Sequence, residues 1–179
     1  IYSRPGIKVH SKILLITRQE ATGLRHYTYL GTGNFNEKTA TLYTDHALLT
    51  ADERLSLEVA EVFHFLEEKP LQRSFQHLMV SPVNSRRKFV ACIEREIANA
   101  KAGRMAWMMI KMNSLEDQAM IDKLYEASQA GVQIQLIIRG ICCLVPGVPG
   151  LSDNIEAISI IDRFLEHARV YYFANGGQE

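Results

Sequence analysis

The chain has 179 residues, 47% hydrophobic and 22% charged, with 20 Lys plus Arg against 20 Asp plus Glu. This length suits one compact domain or two small ones, and the balanced charge excludes a global pull toward nucleic acid or an anionic membrane, so any anion site must be built locally. Three cysteines (Cys92, Cys142, Cys143), odd in number and without C-x-x-C spacing, argue against a disulfide framework, and no apolar run reaches the ~18 residues of a membrane span.

Alternating apolar residues predict a strand over Ile7 to Ile16, with Ile7, Val9, Ile13 and Leu15 on one face and Lys8, His10, Lys12 and Leu14 on the other. A turn at Gln19 to Gly23 and a second strand over Leu24 to Leu30 suggest a hairpin, and Gly31-Thr32-Gly33-Asn34-Phe35-Asn36 is turn chemistry. Thr50 and Glu53 have capping-box spacing ahead of an apolar stripe, Leu55, Val59, Val62, Phe63 and Leu66, with Pro70 closing the helix. A new unit is expected from about residue 78. It begins with a helix from about Val83 to Lys101, followed by a strand over Met105 to Met112. A helix opened by Ser114 and Asp117 then ends at Gly131, and a strand over Val132 to Ile138 leads into Arg139-Gly140. A loop, a short helix or turn near Ser152, and a last strand over His167 to Phe173 complete the chain. Helices alternating with strands predict an α/β layered fold. Trp107 and the methionines around it are expected in the core, as is His64, which lies between Phe63 and Phe65. Ile1 in place of an initiating Met, and an end at Glu179 just after strand-like sequence, lead to the expectation of a piece truncated at both ends.

His10 carries the sharpest chemical signal. An imidazole can act as a nucleophile toward phosphorus, and Lys12, two residues on and therefore on the same strand face, could neutralise phosphoryl charge. Gly31 and Gly33 let backbone N–H groups approach an anion, and Asn34 adds a donor. Each feature also has a plainer reading: a solvated polar stripe for Lys8, His10 and Lys12, and an ordinary tight turn for Gly31 to Asn34. A weak internal echo pairs His10-Ser11-Lys12 with His167-Ala168-Arg169. The cluster Ser85-Arg86-Arg87-Lys88 reads as a solvated face. His26, His46, His64 and His77 lack metal-ligand spacing.

H-x-K followed by G-x-G-N resembles the half-site of the phospholipase D superfamily. The closer resemblance is to bacterial polyphosphate kinases of the long, phospholipase D-like form. It is carried in the first half by Ile7-Lys8-Val9-His10-Ser11-Lys12, by Tyr29 to Ala40 and by Leu42-Tyr43-Thr44-Asp45. In the second half it is carried by Met79-Val80-Ser81-Pro82, Asn84-Ser85-Arg86-Arg87, Ile138-Arg139-Gly140, Ser152-Asp153-Asn154-Ile155 and Phe164-Leu165-Glu166-His167. The resemblance implies two phospholipase D-like α/β units with mixed sheets flanked by helices: the end of a first catalytic domain over residues 1–77 and most of a second over 78–179.

It also implies reversible transfer of the terminal phosphoryl group of ATP to inorganic polyphosphate through a phosphohistidine. His10 would be the phosphorylated histidine, assisted by Lys12 and Asn34. Tyr43, Arg139 and His167 would bind nucleotide, with His167 also acting as general acid and base. From the residues alone, Tyr43 could stack on adenine or be a half-buried tyrosine beside Leu42. Arg139, at the carboxyl end of a strand, suits phosphate or simply caps the strand. His167 could move a proton or pair with Glu166. Mg2+ is expected as cofactor, with its ligands outside this chain and no metal site within it. The expected partners are ATP or ADP and polyphosphate, with no nucleic acid and no transmembrane segment; a homo-oligomer of the full-length protein is left open. The expected location is the cytoplasm, with membrane association in the cell left open. One departure stands out: the superfamily pattern places an acidic residue five positions after the lysine, where this chain has Thr17. That weakens the alternative of a phospholipase D-like phosphodiesterase or nuclease. A second alternative is an inactive nucleotide- or polyphosphate-binding fragment.

Overall fold

The computed structural model describes residues 8–67 and 74–178. The chain forms two compact units. One comprises the described residues up to Thr41 together with Asp45–Ser85; the other comprises Leu42–Thr44 together with the residues from Arg86 onward.

The first unit is built on a hairpin. Strands β1 (Lys12–Glu20) and β2 (Gly23–Gly31) pair antiparallel from Glu20↔Gly23 to Lys12↔Gly31. The two-residue turn between them ends at Gly23, whose φ of 120° suits a residue without a side chain. The turn fixes the register, and the register fixes where pairing stops. The strand therefore begins at Lys12, and His10 lies just before it instead of within it; Ile7, the expected start, lies outside the described residues. A single helical turn, α1 (Glu37–Ala40), follows β2 and is capped by the Asn36 side chain, which accepts from the Thr39 N–H. Strand β3 (Ala47–Thr50), not foreseen from the sequence, adds antiparallel to β2 to give the order β1-β2-β3.

Helix α2 (Glu53–Leu66) lies against β1 and β2, with Val59 completely buried. Its cap corrects the expected capping box. Thr50 ends β3 and its hydroxyl accepts from the Asp52 N–H at 3.0 Å, while Asp52 caps the helix by accepting from the Arg54 N–H at 2.9 Å. A carboxylate there meets both unsatisfied N–H groups and the positive helix end. The Arg54 side chain closes on it as well, holding the Asp52 carboxyl down at about 2. Pro70, expected to close α2, lies outside the described residues. His64 is exposed beside Glu67 and not packed in the core, because the apolar stripe of α2 turns the neighbouring phenylalanines inward and His64 outward. The connection beyond α2 is tied down by two polar side chains. Glu58 accepts from the N–H groups of Gln76 (2.6 Å), His77 (3.0 Å) and Leu78 (2.7 Å). Buried Asn84 donates to the Phe75 and Leu78 carbonyls and accepts from the Val80 N–H.

The second unit is a sheet in the order β6-β5-β4-β7 with two helices packed on one face. Helix α3 (Ser85–Lys101), strand β4 (Trp107–Met112), helix α4 (Gln118–Gln129), strand β5 (Gln133–Ile138), strand β6 (Ile155–Ile158) and strand β7 (Val170–Phe173) follow in chain order. β4, β5 and β6 are parallel, and β7 is antiparallel to β4, so this sheet is mixed. Ile93 and Ile97 of α3 and Ile121, Leu124 and Ala127 of α4 pack onto Met108, Ile110, Ile134, Leu136 and Ile138.

Strand alternation corrects the expected all-core reading of the Trp107 region. Met108 is fully buried, whereas Met109, facing the other way, is 42% exposed and Met105 before the strand is 59% exposed. Trp107 stacks at a tilt on Tyr172 with centroids 5.1 Å apart. Asp117 caps α4 by accepting from the Met120 N–H, and Arg86 grips the same carboxylate through two bonds of 2.7 and 2.9 Å. The residue near Ser152 forms a turn, with the buried Ser152 hydroxyl bonded to Val148 N and Val145 O. The turn delivers β6, which is too short to announce itself and exists through its pairing with β5.

Candidate active site

In the first unit, His10 is exposed just ahead of β1, and Lys12 folds back over it. Lys12 Nζ lies 2.9 Å from His10 Nδ1 and 3.2 Å from Nε2, and donates to the His10 carbonyl at 2.8 Å. His10 also borders a cleft of about 490 Å³ lined largely by apolar side chains, among them Ile13, Leu30, Val59 and Phe65. The Gly31 to Asn34 turn is held by the segment ahead of β3. Thr32 N–H donates to the His46 carbonyl, and the Thr32 hydroxyl donates to Asp45 Oδ1 at 2.9 Å and accepts from His46 N–H. A side chain at position 33 would collide with the Asp45 carboxylate unless that carboxylate left its place beside the Thr32 hydroxyl. Asn34 is exposed at the tip, its carbonyl accepting from the Asn36 N–H. Thr17, where the superfamily pattern has an acid, bonds to His26 Nδ1 at 2.8 Å.

The second unit brings Tyr43, Arg139 and His167 together. Segment Leu42–Thr44 runs beside Leu165: Leu165 N–H donates to the Leu42 carbonyl at 2.8 Å, and Thr44 N–H donates to the Leu165 carbonyl at 3.1 Å. The Tyr43 ring thereby meets the His167 ring edge-on, 5.7 Å between centroids. Arg139 follows β5 directly, its N–H donating to the Met112 carbonyl at the end of β4. It therefore stands at the carboxyl ends of two parallel strands, where open α/β sheets take ligands. One of its Nη atoms lies 3.4 Å from His167 Nδ1. Tyr43, Arg139 and His167 are all half-buried.

The strand expected from His167 starts instead at Val170, since pairing with β4 ends at Lys111↔Val170. His167 thus sits on a shaped loop. Arg169 donates to the His167 carbonyl at 3.1 Å, the same contact that Lys12 makes with the His10 carbonyl, so the internal echo extends to this hydrogen bond. Two residues at this site escaped the sequence reading. Asn113 accepts from Arg139 Nε at 2.9 Å and more closely from an Nη, and Lys111 pairs with Glu166 at 3.1 Å. Lys111 had a visible signal, a single cation inside the apolar run Trp107 to Met112; Asn113 had none.

Among the described residues, no group of three or more His, Cys, Asp or Glu side chains could hold a metal ion. No helix among them is long and apolar enough to cross a membrane.

Comparison with known proteins accounts for nearly the whole chain. Residues 1–72 match the family pattern described as polyphosphate kinase C-terminal domain 1, and residues 78–179 match polyphosphate kinase C-terminal domain 2. The polyphosphate kinase of Salmonella typhimurium is 53% identical over 179 residues, which is 100% of this chain and 26% of that protein. Polyphosphate kinase 1 of Chlorobaculum tepidum is 52% identical over 177 residues, covering 99% of this chain and 25% of its own length. The crystal structure of polyphosphate kinase from Porphyromonas gingivalis superposes with a TM-score of 0.91 at 44% identity, covering 99% of this chain and 30% of that one. The chain thus spans about a quarter of the length of the curated relatives it matches. With both family patterns matched and the α/β architecture shared with a solved relative, this chain belongs to the polyphosphate kinase family.

Proposed function

We propose that the chain is part of a kinase that moves the terminal phosphoryl group of ATP reversibly onto inorganic polyphosphate, with His10 as the covalent carrier. The observation that carries this reading is the clustering of Arg139, His167 and Tyr43 at the carboxyl ends of β4 and β5 in a chain of this family. In the first step a ring nitrogen of His10 attacks the γ-phosphorus, the P–N bond forms, and the bond to the bridging oxygen breaks with its electron pair leaving on ADP. In the second step the terminal oxygen of a polyphosphate chain attacks the same phosphorus. The P–N bond breaks, His10 is regenerated and the chain is one phosphate longer.

Each side chain has a stated part in this reading. Lys12 Nζ, within 2.9 Å of one ring nitrogen and 3.2 Å of the other, neutralises charge on a phosphoryl group carried by His10. Asn34 donates to the same phosphate. Arg139 offers its planar fork to nucleotide phosphates, and Tyr43 stacks on the base. His167 exchanges a proton with the leaving phosphate oxygen. Magnesium would neutralise charge on the nucleotide from ligands contributed by sequence outside this chain. A cytoplasmic location fits the same reading, since ATP and reduced cysteines belong together there.

Labelling tests the proposal. Full-length protein treated with γ-labelled ATP is expected to carry an acid-labile, base-stable phosphate on His10, and the His10→Ala protein is expected to carry none. A His10→Ala protein that still forms full phosphoenzyme would sink it. The phosphodiesterase alternative predicts turnover of a phosphodiester with no ATP-dependent label, and Thr17 in place of the signature acid counts against it.

A further inference from the structure

Lys111 and Asn113 are alternate residues at the carboxyl end of β4; Asn113 grips Arg139, and Lys111 grips the backbone on either side of His167. We propose that they are positioning residues: Asn113 aims the Arg139 guanidinium, and Lys111 holds the backbone that presents His167. This deepens the kinase reading and rests on it.

The Asn113 amide oxygen accepts from Arg139 Nε at 2.9 Å and from an adjacent Nη. Both bonds fall on one edge of the guanidinium, so that edge is fixed and the remaining N–H groups are directed to other partners. The strand ends come close enough for this grip because position 140 is glycine. Gly140 N–H donates to the Asn113 carbonyl at 2.7 Å, and a Cβ there would lie 2.9 Å from that same oxygen. The choice of an amide matters. A carboxylate at position 113 would hold Arg139 more tightly, but it would also neutralise the charge that a nucleotide phosphate needs; an amide orients the fork and leaves its full charge.

Lys111 Nζ is spent on the protein. Its side chain is 14% exposed and pairs with the Glu166 carboxylate at 3.1 Å. The same ammonium donates to the carbonyls of Glu166 (3.4 Å) and Ala168 (3.2 Å), one on each side of His167. Ala168 is itself buried, so the segment is pinned at His167's two neighbours while the imidazole stays at the site.

Nucleotide affinity by calorimetry, with steady-state transfer kinetics, separates the two roles in the full-length protein. Asn113→Ala is expected to weaken ATP binding by roughly tenfold, the scale of losing one charge-assisted contact. Asn113→Asp, nearly the same shape, is expected to weaken it at least as much, although it holds Arg139 better. Lys111→Met is expected to lower kcat about tenfold or more with KM little changed, and Lys111→Arg to recover much of the loss. Melting temperatures are compared to exclude unfolding; Asn113→Asp is near-isosteric and Lys111→Arg keeps the charge, so both remain informative if the harsher variants do not fold. An Asn113→Asp protein that binds ATP as tightly as wild type overturns the role of Asn113. Unchanged kcat in Lys111→Met, or an equal loss in Lys111→Arg, overturns that of Lys111. If wild-type protein binds ATP without transferring phosphate, the kinase reading fails, while the Asn113 arm is still decided by affinity.

Discussion

Tyr43 reaches His167 through a backbone pairing with Leu165 that no local motif announces. In the proposed reading its half-buried phenol ring stacks on the purine of the nucleotide. Tyr43→Ala is expected to raise the nucleotide KM about tenfold, within the ~1–3 kcal/mol that one base stack contributes, and Tyr43→Phe to stay near wild type. Equal effects of the two substitutions would mean that the hydroxyl, not the ring, is what matters. Arg139 was legible from its chemistry and from its place after a periodic strand, and His10 and Lys12 from their chemistry and spacing, although the same periodicity ran the strand through His10 and the structure begins it at Lys12. Asn113 was not legible. Its significance comes from Arg139, 26 positions away, and an asparagine after a strand has many uses.

Elements were read well where a pattern repeats and less well where a single residue decides. The apolar stripe of α2 and the start and stop residues of α4 gave their existence, but the α2 cap moved from Thr50 to Asp52 because the Thr50 hydroxyl is occupied by the Asp52 N–H. Strands β3 and β6, with four residues each, lack the length for a periodic signal and form by pairing with β2 and β5. The Glu58 contacts give a pH prediction. Burial works against the charge, yet the N–H groups of Leu78, His77 and Gln76 outweigh it and hold the carboxyl below its ordinary value. A depressed carboxyl stabilises the fold above the ordinary carboxylate range and loses that contribution as pH falls through the folded value. Acid titration should therefore release the 76–78 segment in wild type, read as amide exchange at those residues, whereas Glu58→Gln should show fast exchange already at neutral pH. Slow exchange in the variant would refute this. In β5, Leu136 is 1% exposed beneath both helices. Leu136→Ala is expected to cost about 2–5 kcal/mol, followed in urea by the fluorescence of Trp107, the chain's single tryptophan, on the neighbouring strand.

For the molecule as a whole, the chain represents 26% of the length of a relative such as the Salmonella typhimurium enzyme. Titrated alone, it is expected to bind ATP or polyphosphate weakly and to turn over little or not at all; robust kinase activity from these 179 residues would refute that. The sequence by itself determined the α/β class, the hairpin, the main helices with the apolar face of α2, and the family, because periodicity, turn chemistry and motif spacing are local properties of the chain. Only the tertiary structure decided that His10 stands just before β1, that β7 begins after His167, that Tyr43 joins Arg139 and His167, that Asn113 bonds to Arg139, and that Lys111 bonds to the backbone on either side of His167. The physical reason is that strand ends are set by the partner strand, and a side chain's neighbours are set by packing between segments far apart in sequence.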